Sequence, residues 1–169
     1  MSRLPLPVLC PSRAPVAPNV LLDGRLALFH ETERWLAVAD LHFGYELSQR
    51  AAGCLIPFWG MTSIGQRLDA LLEDYLPRQL LIVGDLVHDK ASGAAAGDLL
   101  ARLRSRCEVI ALAGNHDRHV ARPIEFATRW ETPDFVFQHG HCQADESGRI
   151  QIIGHHHPAA SLMMALVCA

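Results

Sequence analysis

Residues 35–44 read WLAVADLHFG: an unbroken apolar run from Trp35 to Ala39 leads straight into Asp40, with His42 two residues later. A short continuous apolar run is the pattern of a strand covered on both faces. The same arrangement recurs along the chain. Leu80 to Val83 runs into Gly84 and Asp85, Val109 to Ala113 into Gly114 and Asn115, Phe135 to Phe137 toward His139, and Ile150 to Ile153 into Gly154 and His155. Between the runs lie helical patterns. Thr62 to Leu76 sets Ile64, Leu68, Leu71, Leu72 and Tyr75 on one stripe, with Thr62 or Ser63 as cap and Pro77 as stop. Gly97 to Arg106 turns Leu99, Leu100 and Leu103 inward and places Arg102, Arg104 and Arg106 where cations suit the macrodipole, a solvated helix end. Alternating strand and helix predicts an α/β layered fold.

Upstream, Val20 to Leu22 and Leu26 to Phe29 flank Asp23-Gly24, a hairpin signal that predicts an antiparallel ribbon. Residues 1–19 are Pro-rich and read as a loose arm, leaving residues 20–169 as one domain.

Each apolar run ends in a side chain able to bind a metal, and in α/β sheets ligands gather beyond the carboxyl ends of the strands. On extended backbone Asp40 and His42 share a side, as do His155 and His157 of IIGHHHP, with His156 pointing away. Gly84 and Gly114 permit close approach of backbone and ion. The candidate ligands are therefore Asp40, His42, Asp85, Asn115, His139, His155 and His157. Seven are too many for one tetrahedral zinc. They suit two ions about 3.5 to 4 Å apart, bridged by Asp85 and a hydroxide, the geometry of two-metal phosphate ester hydrolysis. Mixed oxygen and imidazole ligation favours Mn²⁺, Fe or Zn²⁺ over Mg²⁺, with Mn²⁺ first. His116, one residue beyond Asn115, is expected to face the substrate as general acid, with Asp117 fixing its tautomer.

Composition bounds the rest. The 169 residues carry 15 basic and 18 acidic side chains, and 14 of the basic ones are Arg, so no Lys-rich field holds nucleic acid non-specifically. Bound cations would supply the positive charge that a polyanionic substrate needs. Five Cys without close spacing read as reduced thiols, and the Pro-broken N-terminus is too short for a leader or a span. A cytoplasmic protein without membrane association is expected.

The order DLH, GDLVH, GNHD, HGH, GHHHP, spanning Asp40 to Pro158, resembles the calcineurin-like metallophosphoesterase superfamily. The resemblance implies a four-layer α-β-β-α sandwich with a dimetal site at the strand ends. It implies that Asp40, His42, Asp85 and His157 hold one ion, that Asp85, Asn115, His139 and His155 hold the other, and that His116 protonates the leaving group. The hairpin, the GDLVH block, and Arg50, Gly53 and Pro57 further resemble a small bacterial subfamily associated with DNA ligase genes. That implies action on DNA ends in repair, with a ligase or helicase as partner. Family members continue beyond GHxHP into further strands, whereas this chain stops eleven residues after Pro158. Shortened C-terminal strands and an exposed edge open to a second copy are the expectation.

The predicted function is a dimetal phosphodiesterase or phosphomonoesterase. Its rivals are a nucleotide or small-molecule phosphoesterase and a metal-binding subunit that docks to a repair partner. His88 and His141 are candidate substrate contacts, while His30 and His119 read as surface.

Overall fold

A computed structural model describes residues 12–120, 124–140 and 147–156. The first sheet has six strands in chain order: β1 (Arg13–Ala17), β2 (Val20–Asp23), β3 (Ala27–His30), β4 (Trp35–Ala39), β5 (Gln79–Val83) and β6 (Glu108–Leu112). The hairpin half is antiparallel, whereas β4, β5 and β6 are parallel. Their register sets Ala39 beside Val83 and Val83 beside Leu112, so the three strands end along one line. The second sheet consists of β7 (Trp130–Glu131), β8 (Phe135–Gln138) and β9 (Ile150–Ile153), with β8 parallel to β9 and Gln138 beside Ile153.

Both faces of β4 and β5 are covered, which is why these strands lack alternation, whereas the edge strand β1 is exposed. Leu36, Val38, Leu80 and Ile82 face α2 (Trp59–Tyr75) and α3 (Gly93–Arg104), packing with Leu68, Leu71, Leu72, Leu99, Leu100 and Leu103. Trp35, Ala37, Leu81 and Val83 face the other way, onto Phe135 and Phe137 of the second sheet. Trp35 meets both Phe rings edge-on, at centroid distances of 5.2 and 5.0 Å. The fold is the expected layered α/β sandwich; among the described residues, helices cover one sheet and none covers the outer face of the other.

Several boundaries differ from the sequence reading. Part of the expected loose arm, Arg13–Ala17, is the edge strand β1. The hairpin turns through residues 24–26 rather than through Asp23-Gly24 alone, with Leu26 in the left-handed region at φ 62° and its N–H donated to the Asp23 carbonyl. A three-residue loop ending in a left-handed position matches the strand twist.

Neither Thr62 nor Ser63 caps α2. The helix starts at Trp59, and the buried Glu46 carboxylate of α1 (Tyr45–Ala51) accepts the Met61 N–H at 2.8 Å. Helix α3 begins at Gly93, four residues before its expected start. Arg102 and Arg106 at its far end pair with Asp69 of α2 rather than standing only in solvent.

Strand β9 is not covered on both faces: Ile150 and Ile153 are exposed because β9 borders the second sheet with β8 as its only paired strand among the described residues. His30, expected at the surface, is buried against Trp35 and Phe135, and its Nδ1 accepts the Glu33 N–H. Cys54 and Cys107 are free thiols, and Cys10, Cys142 and Cys168 lie outside the described residues, as does the His119 side chain. No helix among the described residues is long and apolar enough to cross a membrane.

A buried polar cluster ties the hairpin to the end of α2. The Asp23 carboxylate accepts hydrogen bonds from the Arg25 guanidinium and from the Tyr75 hydroxyl at 2.8 Å. The Arg25 guanidinium holds Asp23 well below the usual carboxylate range, and burial pushes the Tyr75 hydroxyl up to about 12.

Candidate metal centre

The lines on which β4, β5 and β6 end and on which β8 and β9 end border one crevice. Beyond the strands, the chains leaving β4 and β5 stay side by side, with the His42 N–H donated to the Asp85 carbonyl and the Phe43 N–H to that of Leu86. This continued pairing carries Asp40, His42, Asp85 and His88 out together. Asp40, His42, Asp85 and His155 all have positive φ, between 43 and 70°. The expectation that Asp40 and His42 share a side on extended backbone is therefore corrected: left-handed turns at the strand ends aim them. Four non-glycine residues in a sparsely populated region mark a site whose surroundings hold it under strain.

Six of the seven predicted ligands come together around His139. Its Nε2 lies 3.0 Å from Asn115 Oδ1 and 3.3 Å from Asp85 Oδ2, and its Nδ1 lies 3.6 Å from Asp40 Oδ1. His42 Nε2 is 4.0 Å from Asp85 Oδ2, and one ligand atom each of Asp85, His139 and His155 falls within 4.8 Å of the others. Both Asp40 oxygens accept the His155 N–H, and Asp85 Oδ1 accepts that of His116 at 2.9 Å. His157 and His141 lie outside the described residues, and His156 is exposed with its ring 5.6 Å from that of His155.

The glycines make room for side chains rather than for an ion. A Cβ on Gly84, at φ +78°, would stand 2.0 Å from His139 Nδ1, and one on Gly114 would stand 2.1 Å from Asp85 Oδ1.

The donor chemistry fits divalent metal ions. Two carboxylates, an amide oxygen and three imidazoles converge at distances that a cation would turn from repulsion into shared coordination. Burial holds the His42 imidazole below its ordinary value, favouring the neutral form that ligates.

His116 is placed differently from its expected support. Its Nδ1 lies 2.7 Å from the His88 carbonyl oxygen, and its ring stacks on the His88 ring at 5.3 Å and meets His42 edge-on at 4.8 Å. A carbonyl only accepts, so Nδ1 carries the hydrogen and Nε2 remains for proton transfer. The expectation that Asp117 fixes this tautomer is corrected. The buried Asp117 carboxylate accepts the backbone N–H groups of Gly114, Val87 and Leu86, pinning the two loops together. Burial pushes its carboxyl up, and the backbone donors oppose that. Spacing alone could not reveal the His88 carbonyl, since a main-chain acceptor leaves no mark in side-chain chemistry.

The sequence profile of calcineurin-like phosphoesterases matches residues 34–161. This chain belongs to the calcineurin-like phosphoesterase family. Members of the family are metal-dependent hydrolases of phosphate esters, and the crevice is where this phosphoesterase gathers side chains able to hold a metal ion. The fold is similar to the crystal structure of Pseudomonas putida nuclease MPE, with a TM-score of 0.66 and 25% identity over 88% of this chain and 74% of that one. No protein of curated function matches the chain.

Proposed function

We propose that this phosphoesterase cleaves phosphodiester bonds in nucleic acid, with Mn²⁺ as its preferred metal. The observation that carries the reading is the convergence of Asp40, His42, Asp85, Asn115, His139 and His155 beside a His116 whose Nε2 is left for proton transfer. The likeness to the Pseudomonas putida nuclease supports nucleic acid as the substrate class. The resemblance to the DNA ligase-associated subfamily supports a place in DNA repair beside a ligase or helicase.

In this reading Asp40, His42, Asp85 and His157 hold one ion, and Asp85, Asn115, His139 and His155 hold the other. Bound divalent ions supply positive charge that polarises a phosphoryl oxygen and activates water. The His88 carbonyl holds one hydrogen on His116 Nδ1, so the imidazolium would give its second proton from Nε2 to the departing oxygen and be left as the neutral Nδ1–H form. Asp117 works through the backbone, keeping the loops that carry Asp85 and Asn115 in register.

The test strips the protein with chelator, restores Mn²⁺, and measures metal stoichiometry together with hydrolysis of bis-p-nitrophenyl phosphate and a single-stranded oligonucleotide. Two ions per chain and turnover of both substrates are expected, with Asp85→Asn abolishing turnover. Turnover that survives Asp85→Asn would remove the two-metal assignment.

A further inference from the structure

Beside His116 the crevice opens into a cavity of about 530 Å³ lined by His88, Asp89, Lys90, Asn115 and His116. That is room for a nucleotide-sized group, well beyond one phosphoryl centre. Lys90 is the only lysine in the sequence. It is exposed and has no ion pair among the described residues, whereas Arg13, Arg25, Arg102, Arg106, Arg129 and Arg149 are all paired with carboxylates.

Its one acidic neighbour in the cavity is otherwise engaged. The Asp89 carboxylate accepts the Ala91 N–H at 2.9 Å and a hydrogen bond from the Ser48 side chain. The bond from Ala91 caps the short 3-10 turn Lys90–Ser92, which fixes the backbone of Lys90 at the rim while its ammonium moves on a four-carbon stem. Among the described residues Arg34, Arg50, Arg67, Arg78, Arg104 and Arg118 also lack a carboxylate partner, but none of them lines this cavity, where Lys90 is the one cation.

We propose that Lys90 binds a substrate phosphate flanking the scissile one, on the leaving-group side, and thereby sets a preference for chains of several phosphodiesters. This rests on the nucleic-acid reading above. The side follows from the wall the residue shares: the cavity that contains Lys90 is bounded by His116, the group assigned to the departing oxygen. A substrate with one phosphate cannot reach both.

The experiment compares TpT, which has a single phosphodiester, with TpTpT, using the Mn²⁺-loaded enzyme and its Lys90→Ala and Lys90→Arg variants. Lys90→Ala should raise KM for TpTpT about tenfold, the worth of one charge-assisted contact, with kcat and the kinetics on TpT unchanged. Lys90→Arg should restore most of the loss. In parallel, metal-free protein is titrated with a labelled single-stranded oligonucleotide over a range of salt. Lys90→Ala should flatten the logarithmic salt slope by about 0.7, one phosphate contact on a single strand. Equal KM changes on both substrates, or an unchanged slope, would overturn the proposal. A wild-type enzyme that binds the oligonucleotide with the Lys90-dependent slope yet cleaves neither substrate would overturn the catalytic reading instead.

Discussion

His116 and His88 are joined through a 2.7 Å contact between an imidazole nitrogen and a backbone carbonyl, and this contact decides which ring nitrogen meets the substrate. Because the acceptor is main chain, replacing the His88 side chain leaves it in place. His116→Ala should lower kcat by about 10² to 10⁴ on an alkyl phosphodiester, the usual worth of a general acid. On a p-nitrophenyl ester, whose leaving group needs little protonation, the loss should be small. The ratio of the two kcat values is the measurement, and equal losses on both esters would point to a fault in folding or ligation.

Asp117 offers a contrasting case in the next position of the chain. Asp117→Ala leaves the N–H groups of Leu86, Val87 and Gly114 buried without their acceptor. Unfolding in urea should show a loss of roughly 3 kcal/mol. Asp117→Asn, which keeps one acceptor oxygen, should recover part of it. Activity should fall in step with the folded fraction, unlike the His116 variant, which loses one hydrogen bond, about 1 kcal/mol, and far more of its activity.

A single methyl group should empty the site. Gly84→Ala places a Cβ 2.0 Å from His139 Nδ1 on a backbone at φ +78°, so either the imidazole or the end of β5 must move. Metal content measured after dialysis against Mn²⁺ is expected to drop below one ion per chain. Full occupancy would show that His139 is dispensable.

The polar cluster under the hairpin gives a pH signature away from the catalytic crevice. Tyr75 ionises near 10 when unfolded and at about 12 in the folded protein, so the folded state holds its proton more tightly. The stability this contributes is complete below pH 10 and is lost as the pH rises from 10 through 12. Denaturation at pH 9 and pH 11.5 should reveal a difference of roughly 2 kcal/mol attributable to Tyr75. Tyr75→Phe should be less stable at pH 9 by roughly 1 to 3 kcal/mol, having lost the hydrogen bond to Asp23, and should lack the alkaline decline.

Strands β4 and β5 were legible in the sequence because burial on both faces leaves an unbroken apolar run, and the candidate ligands because they stand where apolar runs stop. Trp35–Ala39 and Ile150–Ile153 match their predicted limits. What escaped depends on partners remote in sequence. The cap of α2 is a carboxylate 15 residues upstream on another helix, so a search for Ser or Thr beside Trp59 could not find it. Asp117 reads as a partner for the adjacent His116, yet its acceptor capacity goes to loops 30 and 31 residues away as well as to Gly114. The left-handed turns at Asp40 and His42 are uncommon for any residue with a side chain, and the pattern of an apolar run followed by Asp and His does not announce them.

The crevice draws Asp40, His42, Asp85 and Asn115 from the first sheet and His139 and His155 from the second. Ions held by residues of both sheets would act as rivets across a seam otherwise closed by packing around Trp35, Phe135 and Phe137. Binding that requires both sheets stabilises their docked state in proportion to the logarithm of free metal concentration. Where such ions bind, metal supply would therefore weigh on the folded fraction as well as on the rate.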